Sequence, residues 1–201
     1  MGWGRRIRDN GVGTAKMPVA IGAKPRSTFT DPIGLLTDCH RRIELFLAVL
    51  AQVSAQARGG PLSREEREAM ETALRYFREG ATKHTADQEE TLFPRLRSIE
   101  HRRELRAVLE KAAALEEQHE EAKRGHAEIE QLGRKWLAAG SLALVDRTRF
   151  AELVAELGNL YRGHIAVEEQ EVFPMAAAVL PRSELEAMGR EIAARRGLQR
   201  E

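Results

Sequence analysis

The strongest constraint on the fold is one long stripe of apolar and small side chains in the middle of the chain. Its members, in alternating steps of three and four residues, are Leu105, Val108, Ala112, Leu115, His119, Ala122, His126, Ile129, Gly133 and Trp136. At 3.6 residues per turn these positions share one face of a helix over ~45 Å. So long a face needs a partner surface of similar length, which predicts that this helix packs against other long helices.

Three more long segments have the same spacing, and start and stop signals delimit them. Asp31 precedes Pro32, an order that favours the first turn of a helix, and Ser63 has the sequence context of a capping box. A second capping box is expected at Ser183. The predicted helices cover residues 32–58, 64–93, about 105–139 and 142–173, followed by a short helix over residues 183–195. A separate short helix near Ser98, ahead of the third, is an open alternative for its start.

These elements predict an all-α fold in which four long amphipathic helices form an up-down-up-down bundle. The bundle and a short C-terminal helix make up one domain, residues 29–201. Residues 1–28 are rich in glycine and basic residues and have no hydrophobic period, so we expect a flexible N-terminal arm there.

Composition narrows the class of protein. The chain has 201 residues with 32 Lys+Arg against 31 Asp+Glu, and this near-balance argues against a dedicated nucleic-acid binder. Cys39 is the single cysteine, so no disulfide can form within the chain. No apolar run is long enough to span a bilayer, and no signal peptide is recognisable. We therefore expect a cytoplasmic protein without a membrane partner; its oligomeric state stays open.

Histidines on the apolar stripes are the first sign of a function. Five of the six histidines lie on these stripes and together represent all four long helices: His40, His84, His119, His126 and His164. An imidazole in an apolar core needs partners for both ring nitrogens, and stability alone does not favour collecting five of them. The sixth, His101, has charged neighbours and is predicted to lie on the surface.

A second sign is an internal repeat. Residues 84–94 align without gaps on residues 164–174. The matched pairs are His84 with His164, Gln88 with Glu168, Glu89 with Glu169, and Phe93-Pro94 with Phe173-Pro174. The repeat indicates two helical hairpins of one pattern, each contributing histidines to a common site.

The spacing within the second copy suits metal binding. His164 and Glu168 are four residues apart, so their side chains lie on one helix face about one turn from each other. Mixed nitrogen and oxygen donors suit iron, manganese or zinc, and a carboxylate can bridge two metal ions. An isolated pair of this kind is usually an ordinary surface contact, but the repeat and the stripe positions favour a metal site here.

With these motifs the chain resembles the hemerythrin-like (HHE cation-binding) family across roughly residues 31–180. The resemblance rests on an early-helix histidine, two His-x-x-x-Glu-type motifs each followed by Phe-Pro, and a histidine on helix three. It implies a non-haem di-iron centre inside a four-helix bundle, open to O₂, nitric oxide or peroxide. It also implies the ligands His40, His84, His164 and Glu168.

The first motif departs from the family pattern, because Gln88 occupies the expected glutamate position. Three interpretations are open: Glu89 supplies the carboxylate one position later, Gln88 binds through its amide oxygen, or this segment supplies no ligand. We predict Glu89 as the ligand, since a long side chain partly compensates for the ~100° shift around the helix.

Helix three offers two histidines. The spacing from His119 to His164 nearly reproduces that from His40 to His84, whereas His126 shares the local His-x-x-Ile-Glu pattern of His40. The two lie two turns apart, ~10.5 Å along the axis, so each can reach toward a metal from opposite sides. We include both, and either one alone remains an alternative.

The leading functional hypothesis is a di-iron protein that binds or senses a small oxidant: O₂, nitric oxide or peroxide. Its predicted ligands are His40, His84, Glu89, His119, His126, His164 and Glu168. The second hypothesis is an enzyme that decomposes peroxide, or oxidises and stores iron, with the metals supplying the catalysis because no separate catalytic residues are evident. The third is a metal-free helical interaction module.

Overall fold

A computed structural model describes residues 27–198 of the chain. The predicted N-terminal arm therefore lies outside the described residues, apart from its last two positions. Within residues 27–198 the chain forms helices and turns without a strand, which confirms the all-α prediction. No helix in this range combines the length and apolarity that crossing a membrane requires.

Five helices make up the described part of the chain, and we number them α1 to α5. Their bounds are Pro32–Ala57 for α1, residues 64–98 for α2, Arg106–Ala139 for α3, residues 144–179 for α4 and Arg182–Arg195 for α5. A single 3₁₀ turn, Arg103–Leu105, leads into α3.

The helix starts follow the capping signals in two of three cases. Asp31 accepts a hydrogen bond from the Gly34 N–H, and Ser63 and Glu66 form the reciprocal capping box. The expected capping box at Ser183 is wrong. Pro181 is the N-cap residue of α5, and its extended backbone, with φ −59° and ψ 152°, sets the start of the helix before Ser183.

The predicted ends of two helices are also wrong, because α2 and α4 continue through their Phe-Pro pairs. A π-turn comes immediately before each pair, over Gln88–Leu92 in α2 and Glu168–Val172 in α4. Each proline then stands at the start of a new α-helical segment. There its missing N–H is tolerated, since the wider turn has already shifted the hydrogen-bonding pattern.

The buried apolar residues form two clusters, one on each side of the histidines. The first cluster includes Ile43, Trp136 and Phe150, and the second includes Leu36 and Phe93. His40 lies on α1 between residues of the two clusters and is fully buried. The polar residues of the core thus occupy a layer with apolar packing above and below.

A buried carboxylate holds α5 against α2. Asp87 has no exposed surface and accepts hydrogen bonds from Arg195 and Arg196, each at 2.5 Å. Arg95 of α2 makes the reverse contact, with Glu184 and Glu191 of α5. Since Asp87 directly precedes the π-turn of α2, this ionic clamp supports the segment that carries Gln88.

Candidate metal centre

Both copies of the repeat position their polar side chains with a π-turn. In each turn a phenylalanine N–H donates to a carbonyl five residues earlier, from Phe93 to Gln88 and from Phe173 to Glu168. The wide turn changes which helix face follows it, and such turns are frequent at functional sites. Gln88 and Glu168, the first residues of these turns, lie four residues after His84 and His164 and fully inside the bundle, at equivalent places of the two hairpins.

Two groups of three potential metal ligands meet in the core. One contains His40, His84 and Glu168, and the other contains His119, His164 and Glu168. Within each group the ligand atoms all lie within 4.8 Å of one another, and every member is buried. Helices α1, α2 and α3 supply one histidine each, and α4 supplies the fourth with Glu168. One carboxylate is therefore shared by two sets of imidazoles.

The two oxygens of Glu168 face different groups. Its Oε2 lies 2.7 Å from Nε2 of His40, and its Oε1 lies 3.2 Å from Nε2 of His164. Nε2 of His164 is in turn 3.2 Å from Nε2 of His119. Because a carboxylate can place one oxygen on each of two cations, this arrangement suits a pair of metal ions joined by Glu168.

The outer ring nitrogens of three histidines are held by polar side chains. Nδ1 of His40 lies 2.8 Å from Glu169 and Nδ1 of His119 lies 2.8 Å from Glu89, both contacts being with Oε1. Gln118 Oε1 lies 2.9 Å from Nδ1 of His164. Acceptors at Nδ1 keep its hydrogen there, so the lone pair of Nε2 faces the interior, as in metal-binding histidines generally.

The structure does not bring Glu89 and His126 into either ligand group. Glu89 contacts the outer nitrogen of His119, because Gln88, four residues after His84, takes the inward position and the next residue lies ~100° further around the helix. His126 is half-buried two turns away from His119, where it stacks between Phe77 and Tyr161. Their predicted role as metal ligands has no support in this geometry.

Gln118 was not anticipated from the sequence. It lies one residue before His119 and outside the repeat, so neither periodicity nor motif spacing singles it out. Glu89 and Glu169 do carry a signal, since the two acidic residues match in the repeat and each follows the inward position. That pattern indicates glutamates that hold the outer nitrogens of the histidine ligands and do not bind the metal themselves.

Unpartnered polar atoms test whether metal ions fit this site. Five buried side-chain atoms of the described residues form no hydrogen bond, although Glu168 lies in ion-pair range of His40 and His164: His40 Nε2, His84 Nδ1, Gln88 Oε1 and both oxygens of Glu168. A buried polar group left in this state costs about 1–3 kcal/mol. All five belong to one site, and nitrogen and oxygen donors turned toward a common interior are what a pair of cations requires.

The protonation states suit metal binding. Burial lowers the pKa of His84 well below its usual value and keeps the imidazole neutral, as a ligand must be. Burial acts to raise the pKa of Glu168, but its contacts with His164 and His40 outweigh burial and leave the pKa far below the usual range. For His40 burial is opposed by Glu168 and Glu169, and the pKa is raised. A metal ion would displace that proton.

A pocket of about 390 Å³ lies between α2 and α3, beside the site. His119, His126 and Tyr161 are part of its wall, together with the charged residues Glu120 and Glu130. Since His119 also belongs to a ligand group, the pocket borders the candidate centre at this histidine.

His126 gives the first testable prediction. Burial lowers its pKa to about 4, against 6.5 for an ordinary histidine. Below pH 6.5 the unfolded chain takes up a proton that folded His126 refuses, so this residue reduces stability as the pH falls toward 4. Between pH 7 and pH 4.5 we expect the free energy of unfolding to fall by about 1–3 kcal/mol less in His126→Leu than in the wild type.

Urea unfolding at the two pH values measures this difference. The matched control is His101→Leu, which removes an exposed imidazole and should follow the wild type. An equal acid sensitivity of His126→Leu and the wild type would contradict the prediction.

Comparison with known proteins agrees with this geometry. Residues 31–176 match the family model of the hemerythrin HHE cation binding domain. The match includes the four histidines, Glu168 and both π-turns. None of the curated proteins compared with the chain matches it significantly. Because the family model spans well over half of the sequence, the chain belongs to the hemerythrin HHE cation-binding family.

Proposed function

We propose that this chain holds a pair of iron ions at Glu168 and four histidines, and that this non-haem di-iron centre binds or senses a small oxidant. The candidate oxidants are O₂, nitric oxide and peroxide. The observation that carries the proposal is the pair of ligand groups sharing one fully buried carboxylate. A single metal ion would leave one of these groups without a role.

The side chains have distinct tasks in this proposal. His40 and His84 would hold one ion, His119 and His164 would hold the other, and both groups share Glu168. When bound, iron would supply redox and Lewis-acid chemistry. The protein contributes orientation through the acceptors at Nδ1, and it excludes bulk water with buried aromatic rings.

Two phenylalanines of the repeat provide that apolar cover. The ring of Phe173 stacks on His40 at a centroid distance of 5.3 Å, and the ring of Phe93 lies parallel to His119 at 6.4 Å. The pocket beside His119 leaves a route for small molecules. Restricted access of this kind favours a small diatomic or peroxide ligand over a larger substrate.

We further propose that α1 to α4 run up-down-up-down, as the sequence predicts. The contacts of the links support this order: Leu142 donates to the carbonyl of Gly59, and Trp136 donates to that of Gly60, both at 2.8 Å. The link between α1 and α2 therefore lies beside the link between α3 and α4. A cytoplasmic location is proposed from the single buried cysteine, Cys39.

The absorption spectrum of aerobically purified protein tests this function. We expect oxygen-to-iron charge-transfer bands in the near ultraviolet that change when nitric oxide or peroxide is added. His164→Ala should lack these bands, because it removes a ligand, whereas His101→Ala alters an exposed histidine and should keep them. Zinc in place of iron, no metal, or bands that respond to none of these oxidants would contradict the proposal.

A further inference from the structure

The two hairpins carry different residues at one equivalent position of the site. Gln88 and Glu168 match in the repeat, both begin a π-turn, and neither has any exposed surface. Each is followed by a glutamate that contacts Nδ1 of a histidine on another helix, Glu89 with His119 and Glu169 with His40. Only the charge differs, since one hairpin presents a carboxylate and the other a neutral amide.

The amide of Gln88 is incompletely paired. Its Nε2 lies 3.2 Å from Nε2 of His84, and its Oε1 has no hydrogen-bond partner. A buried amide needs partners for both its donor and its acceptor, whichever way its two ends are assigned. His84 Nδ1 has no partner and is the ring atom left for a metal ion, so Nε2 then carries the hydrogen. The amide oxygen of Gln88 would turn to accept that hydrogen, and its N–H donors would take the unpaired position and face the site without an acceptor.

The site with two metal ions bound would also carry an excess of positive charge. Two divalent ions bring four positive charges, and Glu168 is the only carboxylate within the two ligand groups. Glu89 and Glu169 offset part of the excess from behind the histidines, but Glu169 also pairs with Arg41. The nearby carboxylate of Asp87 is taken up by Arg195 and Arg196. Excess positive charge in a desolvated site favours a further anionic ligand.

We propose that Gln88 leaves a position for a small carboxylate-like monoanion, such as formate, acetate or bicarbonate, which completes the metal pair. The anion takes the place that a second glutamate would fill, and Gln88 donates a hydrogen bond to it. The pocket that borders His119 is the route by which we infer that the anion enters. This proposal rests on the proposed metal pair and adds to it the chemical class of a required co-ligand.

Binding linkage provides the test, with formate as the probe. If formate completes the site, it must tighten metal binding by the same factor by which metal tightens formate binding. We expect formate to raise the Fe²⁺ affinity of the wild type by about tenfold, measured by anaerobic calorimetry in a carboxylate-free buffer purged of CO₂. Gln88→Glu supplies its own carboxylate, so it should bind Fe²⁺ tightly without formate and gain nothing from it.

Gln131→Glu is the matched control, because it adds the same charge on the exposed face of α3. It should keep the full response to formate. An unchanged Fe²⁺ affinity of the wild type in formate, or an equal gain in Gln88→Glu, would overturn the proposal while leaving the metal pair intact. Absence of Fe²⁺ binding by the wild type in either buffer would overturn the proposed function and this inference together.

Discussion

Replacing Glu168 with alanine is expected to weaken the binding of both metal ions, although only one side chain is removed. Its two oxygens face different histidine groups, so in the proposed metal pair the change deprives each ion of a ligand at once. We expect each affinity to fall by at least ~100-fold, about 3 kcal/mol per ion. Anaerobic titration with Fe²⁺, followed by calorimetry, measures both binding steps.

Two other glutamates of the same π-turn provide graded controls. Glu169→Gln alters the acceptor of the His40 Nδ1 hydrogen and should cost about tenfold in metal affinity. Glu171→Gln alters an exposed carboxylate that pairs with Lys111, and it should have no effect. A Glu168→Ala protein that still binds one ion with wild-type affinity would show that the carboxylate is not shared.

Removing both arginines of the clamp, Arg195→Ala with Arg196→Ala, is expected to be strongly destabilising. These two side chains are the ionic partners of fully buried Asp87, and without them an uncompensated charge remains in the core. Breaking a buried ion pair in this way costs about 3–5 kcal/mol. Urea unfolding of the wild type and the double variant measures the loss.

A third substitution separates charge burial from lost packing. Adding Asp87→Ala to the double variant removes the stranded carboxylate, so part of the stability should return. Arg182→Ala is the control on the same helix, because it breaks an exposed contact with Glu186 and should cost less than ~0.5 kcal/mol. A double variant no less stable than Arg182→Ala would refute a structural role for the clamp.

The helices were predictable because burial alone sets their pattern. The stripe from Leu105 to Trp136 reports which positions face the core, whatever they pack against, and α3 follows it from Arg106 to Ala139. The repeat likewise identified His84, His164 and Glu168 as members of one site, and the structure brings them together.

The departures from the prediction have different causes. The four-residue step from His84 places Gln88 inside, and Glu89, ~100° further around the helix, reaches the outer nitrogen of His119 instead. The proline in each Phe-Pro pair predicts a helix end, but each helix continues through it, because a π-turn that periodicity does not encode precedes the pair. The sequence signal for such a π-turn is a proline inside an otherwise helical pattern, directly after a polar motif.

His126 shows why spacing along a single helix does not identify metal ligands. It lies on the same apolar stripe as His119, and spacing along one helix does not distinguish a ligand from an imidazole packed between Phe77 and Tyr161. That distinction depends on which residues of the other helices stand opposite. The role of Gln118 is not predictable from spacing for the same reason, since it depends on a contact with His164 across the bundle.

The most direct test of the shared metal centre is the number of iron ions that remain bound per chain after anaerobic loading and gel filtration. Two ions in the wild type, and fewer than one in Glu168→Ala under the same conditions, is the predicted result. One ion in the wild type, or one ion retained in the variant, would contradict a pair joined by Glu168.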